Sequence, residues 1–273
     1  MQLLKRLFDF YILASFHVAL AVLALVVMTD YMFQIPIDYP LAGFVFFGTV
    51  VGYNFIKYEV FFRQKGGCRK ALLSILTVTI FAFLAAAYFF FRIAFKTQML
   101  ALVFFVLTIL YTIPLMSSKT NLRNWSGVKI YIVAFCWSGV TILLPLINFG
   151  AELGQDVLIK FVQRFLLVVV LILIFEIIDL KDDDPNLVTV PQKIGVQKTK
   201  MLGYVLLVPF YFMEFFKAIV NQNQLVVNLI LVLLISAFLY FAHENRTKNY
   251  TAFWAESIPV FWLILYIFFQ YTL

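Results

Sequence analysis

Charge is scarce in this chain. Asp, Glu, Lys and Arg make up 13% of its 273 residues, about half the share of an ordinary soluble domain, which excludes a water-facing surface over most of its length. Histidine is scarcer still, with His17 and His243 alone. That is too few for a His-rich zinc, haem or copper site, so any metal here is expected to be a hard one held by oxygen. The two cysteines, Cys68 and Cys136, stand far apart, one in an expected loop and one in an apolar run, and build no disulfide framework. Glycine-rich and proline-rich linkers are missing, as is any clear internal repeat, so residues 1–273 read as a single membrane domain.

What fills the chain is apolar bulk. The residues AVILMFWYC account for 64% of positions, Phe alone for 33 residues, and the mean hydropathy is +0.97. Such surface aggregates in water unless lipid covers it. The net charge of +7 does not indicate nucleic acid, because the basic residues fall in short clusters between apolar runs rather than along one face. Crossing the hydrocarbon takes about 20 mostly apolar residues. Segments that qualify are 7–29, 41–60, 70–91, 98–116, 128–148, 160–178, 201–219, 225–242 and 253–272. The expected fold is therefore all-α, a polytopic bundle of about nine transmembrane helices. The first segment follows Lys5 and Arg6 and is too long for a signal-peptide core, so it reads as an uncleaved first helix.

Basic residues test this topology, since Lys and Arg concentrate in cytoplasmic loops. One side collects Lys5 and Arg6, then the cluster from Lys57 to Lys70, then Lys119, Arg123 and Lys129, then Lys181 to Lys200, then Arg246 and Lys248. The other side holds Arg92, Lys96, Lys160, Arg164 and Lys217. The alternation predicts an N-terminus in the cytoplasm and a C-terminus outside, in a multi-pass protein of a bacterial inner membrane.

The sixth span runs into the longest hydrophilic stretch, near 176–200, on the expected cytoplasmic side. Glu176, Asp179 and Asp183 are spaced i, i+3 and i+7 and share one face if the helix continues through them. Packed carboxylates call for a cation, and Mg²⁺ favours a few carboxylates completed by water and phosphate oxygens. A diphosphate ligand would supply those oxygens, with Lys181 and its neighbours Lys193, Lys198 and Lys200 holding the remaining anionic charge. The same spacing is also that of a solvated acidic turn with no ligand. Asp182 and Asp184 fall off the shared face. Asn54 and Lys57 lie near the cytoplasmic end of the second span, where polar groups are often functional, although Lys57 can equally snorkel to the interface. Arg123 and Lys129 read first as topology determinants. The four tryptophans, Trp125, Trp137, Trp254 and Trp262, read as interfacial or packing residues.

The run FEIIDLKDDDPNLVTVPQKIG, after the sixth of nine spans, resembles the second aspartate-rich motif of the UbiA superfamily of intramembrane prenyltransferases. Glu176, Asp179 and Asp183 match its three acidic positions, with Glu in place of the first Asp, and Thr189, Pro191 and Gly195 match its tail. The family's first acidic motif is degenerate here. Asn54 is kept, while Phe55, Tyr58 and Phe62 stand where carboxylates would be, and Glu59 is the one acid nearby. The family's Tyr and basic residues after the fourth span find loose counterparts in Tyr111, Lys119 and Arg123.

The resemblance implies a prenyltransferase that moves an isoprenoid chain from a prenyl diphosphate to a lipophilic acceptor, aromatic or a quinone precursor, in a cavity open to membrane lipid. It implies Mg²⁺ held by Glu176, Asp179 and Asp183, with Asn54, Lys57, Lys119, Arg123 and Lys181 on the substrate. A non-catalytic relative that binds an isoprenoid or a protein partner is the alternative that the altered first motif keeps open. A small-molecule transporter ranks last, because the acids sit at the membrane boundary rather than at its midplane.

Overall fold

The computed structural model describes residues 2–63, 70–112, 128–183 and 188–272, and among them it is helical with no strand. Helices α1 (Gln2–Leu13) and α2 (Phe16–Met32) form one bent unit, turned by 58° at Ala14 and Ser15. Ser15 takes a left-handed φ of 62° there. The carbonyl of Leu13, freed by the break, accepts a hydrogen bond from the Tyr58 hydroxyl at 3.0 Å, which answers the need of a helix end for an outside donor. Helices α3 (Tyr39–Arg63), α4 (Lys70–Phe90) and α5 (Phe95–Thr112) follow. The next unit begins as α6 (Val128–Ser138), widens into a π turn at Gly139–Leu143, and resumes as α7 (Leu144–Phe149). Then come α8 (Gln155–Asp179), the short α9 (Val190–Ile194), α10 (Val196–Phe212) with a 3₁₀ turn at Met213–Phe216, α11 (Gln222–Phe241), a π turn at Tyr250–Ala255, and α12 (Ile258–Thr272).

By length and apolarity, seven described helical units can cross a membrane, or eight with α1 and α2 counted together. The expectation was nine. The difference falls on the segment expected at 98–116, where the apolar helix Phe95–Leu110 is short of a full span and residues 113–116 lie outside the described part. Large side chains such as Phe81, Phe91, Phe95 and Phe105 are exposed on α4 and α5 and their junction, a covering that suits lipid and not water. The protein is a multi-pass integral membrane protein.

Helix α8 is the axis. Its apolar window is the most buried of the spans, and it packs against α6 and α10, while α2 packs against α3 and α12. One core joins Leu25 and Met28 of α2 to Leu167, Ile174 and Ile178 of α8, Phe210 of α10, Leu231 of α11 and Trp262 of α12. Gly139 and Gly203 allow close approach. A Cβ on Gly139 would stand 1.8 Å from the Phe104 ring, and one on Gly203 would stand 2.8 Å from Leu239.

Two residues counted at the far-side end of the sixth span prove to be core. Because α8 starts at Gln155, earlier than residue 160, Lys160 and Arg164 lie inside the bundle at 3% and 1% exposure. Lys160 Nζ donates to Glu214 Oε2 at 2.5 Å, and Gln163 and Asn228 donate to the same oxygen. Lys217 pairs with Glu214 Oε1 at 3.2 Å. Arg164 donates to the Leu25 carbonyl and to Thr141 Oγ1, and its guanidinium lies over Trp262. These charges link α8, α10 and α11 rather than reporting topology alone.

Candidate active site

Where α3, α4, α5, α6 and α8 come together, a cavity of about 1110 Å³ runs between mostly apolar walls. Tyr53, Phe55, Trp137, Cys136, Leu171 and Phe175 line its length. Its charged lining consists of Lys129, Glu176, Asp179, Asp183 and Glu256. All three acids expected from the sequence therefore reach one chamber.

They reach it in different states. Glu176 is buried, with its Oε1 in an ion pair with Lys129 at 3.5 Å and its Oε2 accepting from the Val190 backbone N–H at 3.0 Å. Val190 opens α9, where the Thr189 N–H donates to Gln192 Oε1 at 2.8 Å. The turn entering that helix holds Val188 at a φ of 46°, a costly conformation for a β-branched residue. The Thr-x-Pro tail thus positions a backbone donor on Glu176. The helix does not continue through Asp183, as the shared-face expectation required. It ends at Asp179, and the N–H groups of Asp182 and Asp183 both donate to the Asp179 carbonyl, at 2.8 and 2.9 Å. Asp183 still turns inward, with Oδ2 buried and without a hydrogen-bond partner. Asp179 and Asp183 lie within electrostatic reach of each other. Among the described residues no group of three acids, histidines or cysteines is arranged to hold a metal ion. The Glu176 carboxylate is occupied by Lys129 and the Val190 amide.

Asp182 points away and pairs with Lys248 at 2.9 Å, both exposed. The hydrogen bond that Lys248 donates to Asp182 holds its ammonium above its usual pKa. Lys181, expected on a substrate, is exposed and donates to Asn245 Oδ1; it does not line the cavity.

On the facing wall, Asn54 is buried and lines the cavity. The Thr79 hydroxyl donates to the Ile75 carbonyl at 2.8 Å, so its oxygen accepts from Asn54 Nδ2 at 2.9 Å. This leaves Asn54 Oδ1 as a buried acceptor without a partner. Lys57 turns the other way, donating to Ser15 Oγ at 3.1 Å, and is not among the cavity's lining residues. With Tyr58 it braces the bend between α1 and α2. Lys119 and Arg123 lie outside the described residues, as does the side chain of Glu59.

Two lining groups were not placed at the site by the sequence. Lys129 reads first as a topology residue but, as the second residue of α6, pairs with Glu176 on the cavity wall. Glu256 sits in an expected apolar span and lies within electrostatic reach of Lys57. An acid so near the start of a membrane span is the one signal that would have singled it out.

These features define an all-helical, intramembrane protein whose long apolar chamber ends at an acidic pair. The fold is that of UbiA homologues. A UbiA homolog from Archaeoglobus fulgidus bound to GPP and Mg²⁺ matches with a TM-score of 0.59 at 12% identity, covering 95% of this chain and 98% of that one. The same homolog bound to DMAPP and Mg²⁺ gives 0.57 at 14% identity over 97% and 99%, and bound to Cd²⁺, 0.55 at 12% over 97% of each. No sequence-family model and no curated protein matches the chain.

Proposed function

We propose that this protein is an intramembrane prenyltransferase, transferring an isoprenoid chain from a prenyl diphosphate to a lipophilic acceptor, aromatic or a quinone precursor. The observation that carries the proposal is one cavity with long apolar walls and Asp179 and Asp183 at its polar end. Support comes from structures of the same fold bound to GPP or DMAPP with Mg²⁺. By the positive-inside rule the Asp179 end faces the cytoplasm, and a bacterial inner membrane suits the chain.

The acids fit a hard divalent ion. Asp179 and Asp183 offer carboxylate oxygens, and Asp183 Oδ2 has no other partner, as a ligand for Mg²⁺ requires. When bound, Mg²⁺ neutralises the diphosphate and favours loss of the leaving group from the allylic carbon. Glu176 fixes Lys129, which then offers an ammonium to the diphosphate oxygens. Asn54 Oδ1, an acceptor, suits a metal-bound water rather than a phosphate oxygen. Lys119 and Arg123 are assigned to the same diphosphate from the sequence resemblance alone. Tyr53, Phe55, Trp137 and Phe175 keep water from the prenyl chain and present ring faces to positive charge developing on it.

A second reading is favoured by a specific observation. Among the described residues the wall at Asn54, Phe55 and Tyr58 presents no carboxylate to the cavity, so a non-catalytic isoprenoid-binding protein fits the same walls. Incubation with radiolabelled GPP, Mg²⁺ and a panel of phenolic acceptors separates the two. Prenylated product supports transfer; GPP bound and recovered intact, without product or diphosphate release, supports the binding protein.

A further inference from the structure

A second cavity, of about 190 Å³, lies near the end of the bundle opposite Asp179, where the turn from α2 to α3 meets the end of α7. It is lined by Asp30, Asp38, Pro36, Leu41, Pro145 and Asn148, among others, with no Lys, Arg or His among them. The two carboxylates differ. Asp38 is engaged, its Oδ1 accepting from the Leu41 N–H at 2.7 Å and its Oδ2 from Asn148 Nδ2 at 3.0 Å. Asp30 is 96% buried, from a relative exposure of 4%, and among the described residues no hydrogen bond or ion pair reaches its side chain. Its nearest charged neighbour is Asp38, of like sign.

Burying a carboxylate beside another without a counter-charge is costly. The local backbone adds to the cost. Asp30 lies in the last turn of α2, and Asn148 in the last turn of α7, so two helix C-termini direct their negative ends to this spot. The unpartnered Asp30 carboxylate and the two helix C-termini favour positive charge, while the α3 N-terminus is already capped by Asp38 through the Leu41 N–H. We propose that this cavity binds a hydrated divalent cation of the Mg²⁺ or Ca²⁺ kind, with Asp30 as its principal protein ligand and Asp38 as the second carboxylate. The volume holds roughly six waters at about 30 Å³ each, room for an ion that keeps part of its hydration shell. The ion ties the first spanning unit to α3 and α7 and is separate from the prenyl-diphosphate chamber.

The test uses full-length protein carrying Asp179→Asn and Asp183→Asn, so that the main cavity contributes no metal response. After chelation, Mn²⁺ binding is counted by electron paramagnetic resonance, and the unfolding midpoint is followed on adding Mg²⁺ or Ca²⁺. The expected result is one Mn²⁺ per chain and a rise of several degrees in the midpoint. Adding Asp30→Asn should abolish both and raise the metal-free midpoint, because the unpaired charge is gone. Should Asp30→Asn fail to fold, the parent's Mn²⁺ count and midpoint shift decide alone. No Mn²⁺ bound by the parent, or binding retained with Asp30→Asn, overturns the proposal and leaves Asp30 a protonated structural residue.

Discussion

Lys129 and Glu176 meet at 3.5 Å on the wall of the main cavity, the carboxylate buried and the ammonium partly open to the chamber. The pair joins α6 to α8, and the Val190 amide closes its other side. Glu176 thus holds Lys129 in place on the cavity wall.

That arrangement predicts an asymmetry between single and double substitutions. Lys129→Met leaves Glu176 buried without its cation, a loss of about 1–3 kcal/mol, reduced because Lys129 is partly exposed. Glu176→Gln with Lys129→Met should be more stable than Lys129→Met alone. Denaturant or thermal unfolding of the purified variants checks this; equal midpoints contradict it.

The Glu214 network makes a larger effect. Lys160 and Glu214 are both almost fully buried, so Glu214→Ala should cost on the order of 3–5 kcal/mol by stranding Lys160. Replacing the pair together, with Lys160→Met and Glu214→Leu, should recover much of that loss. Prenyl transfer, measured below the unfolding temperature, should change little.

Exposed charges behave otherwise. Lys248 and Asp182 pair at the surface, and Lys248→Ala should shift stability by under about 1 kcal/mol and leave turnover unchanged. The Lys248 pKa is raised, so any stabilisation is complete below the unfolded value and fades only as pH climbs through the higher folded one. Stability measured from pH 6 to 9 should therefore show no step that Lys248→Ala removes.

Packing at the π turn gives a steric test. Gly139→Ala drives a methyl into the Phe104 ring and should destabilise by about 1–3 kcal/mol. Gly139→Ala with Phe104→Leu should relieve part of it, read as a partial return of the unfolding midpoint.

Much of this was legible in the residues. Apolar runs marked the helical units, and the spacing of Glu176, Asp179 and Asp183 delivered three groups to one cavity. What was not legible follows from tertiary contact. Lys57 and Glu256 lie about 200 residues apart, and only folding shows that Lys57 serves the bend at Ser15 while Glu256 enters the chamber. His17 carries no motif, yet it accepts from the Tyr11 hydroxyl and reaches the Phe253 carbonyl across the bundle. Helical periodicity placed Asp183 on a continuing face, whereas the regular helix ends at Asp179 and a single tightened turn carries the chain to Asp183. The charge pattern counted Lys160 and Arg164 at the far-side end of the sixth span, because a buried charge is recognised only by its partners.

The most direct measurement is Mg²⁺-dependent diphosphate release from GPP by purified protein in lipid, compared with Asp179→Asn and Asp183→Asn shown to be folded by unchanged thermal unfolding. The account predicts release that chelation abolishes, and a fall of at least about 100-fold in each variant. Release at the wild-type rate in both variants, or release indifferent to chelation, would contradict it.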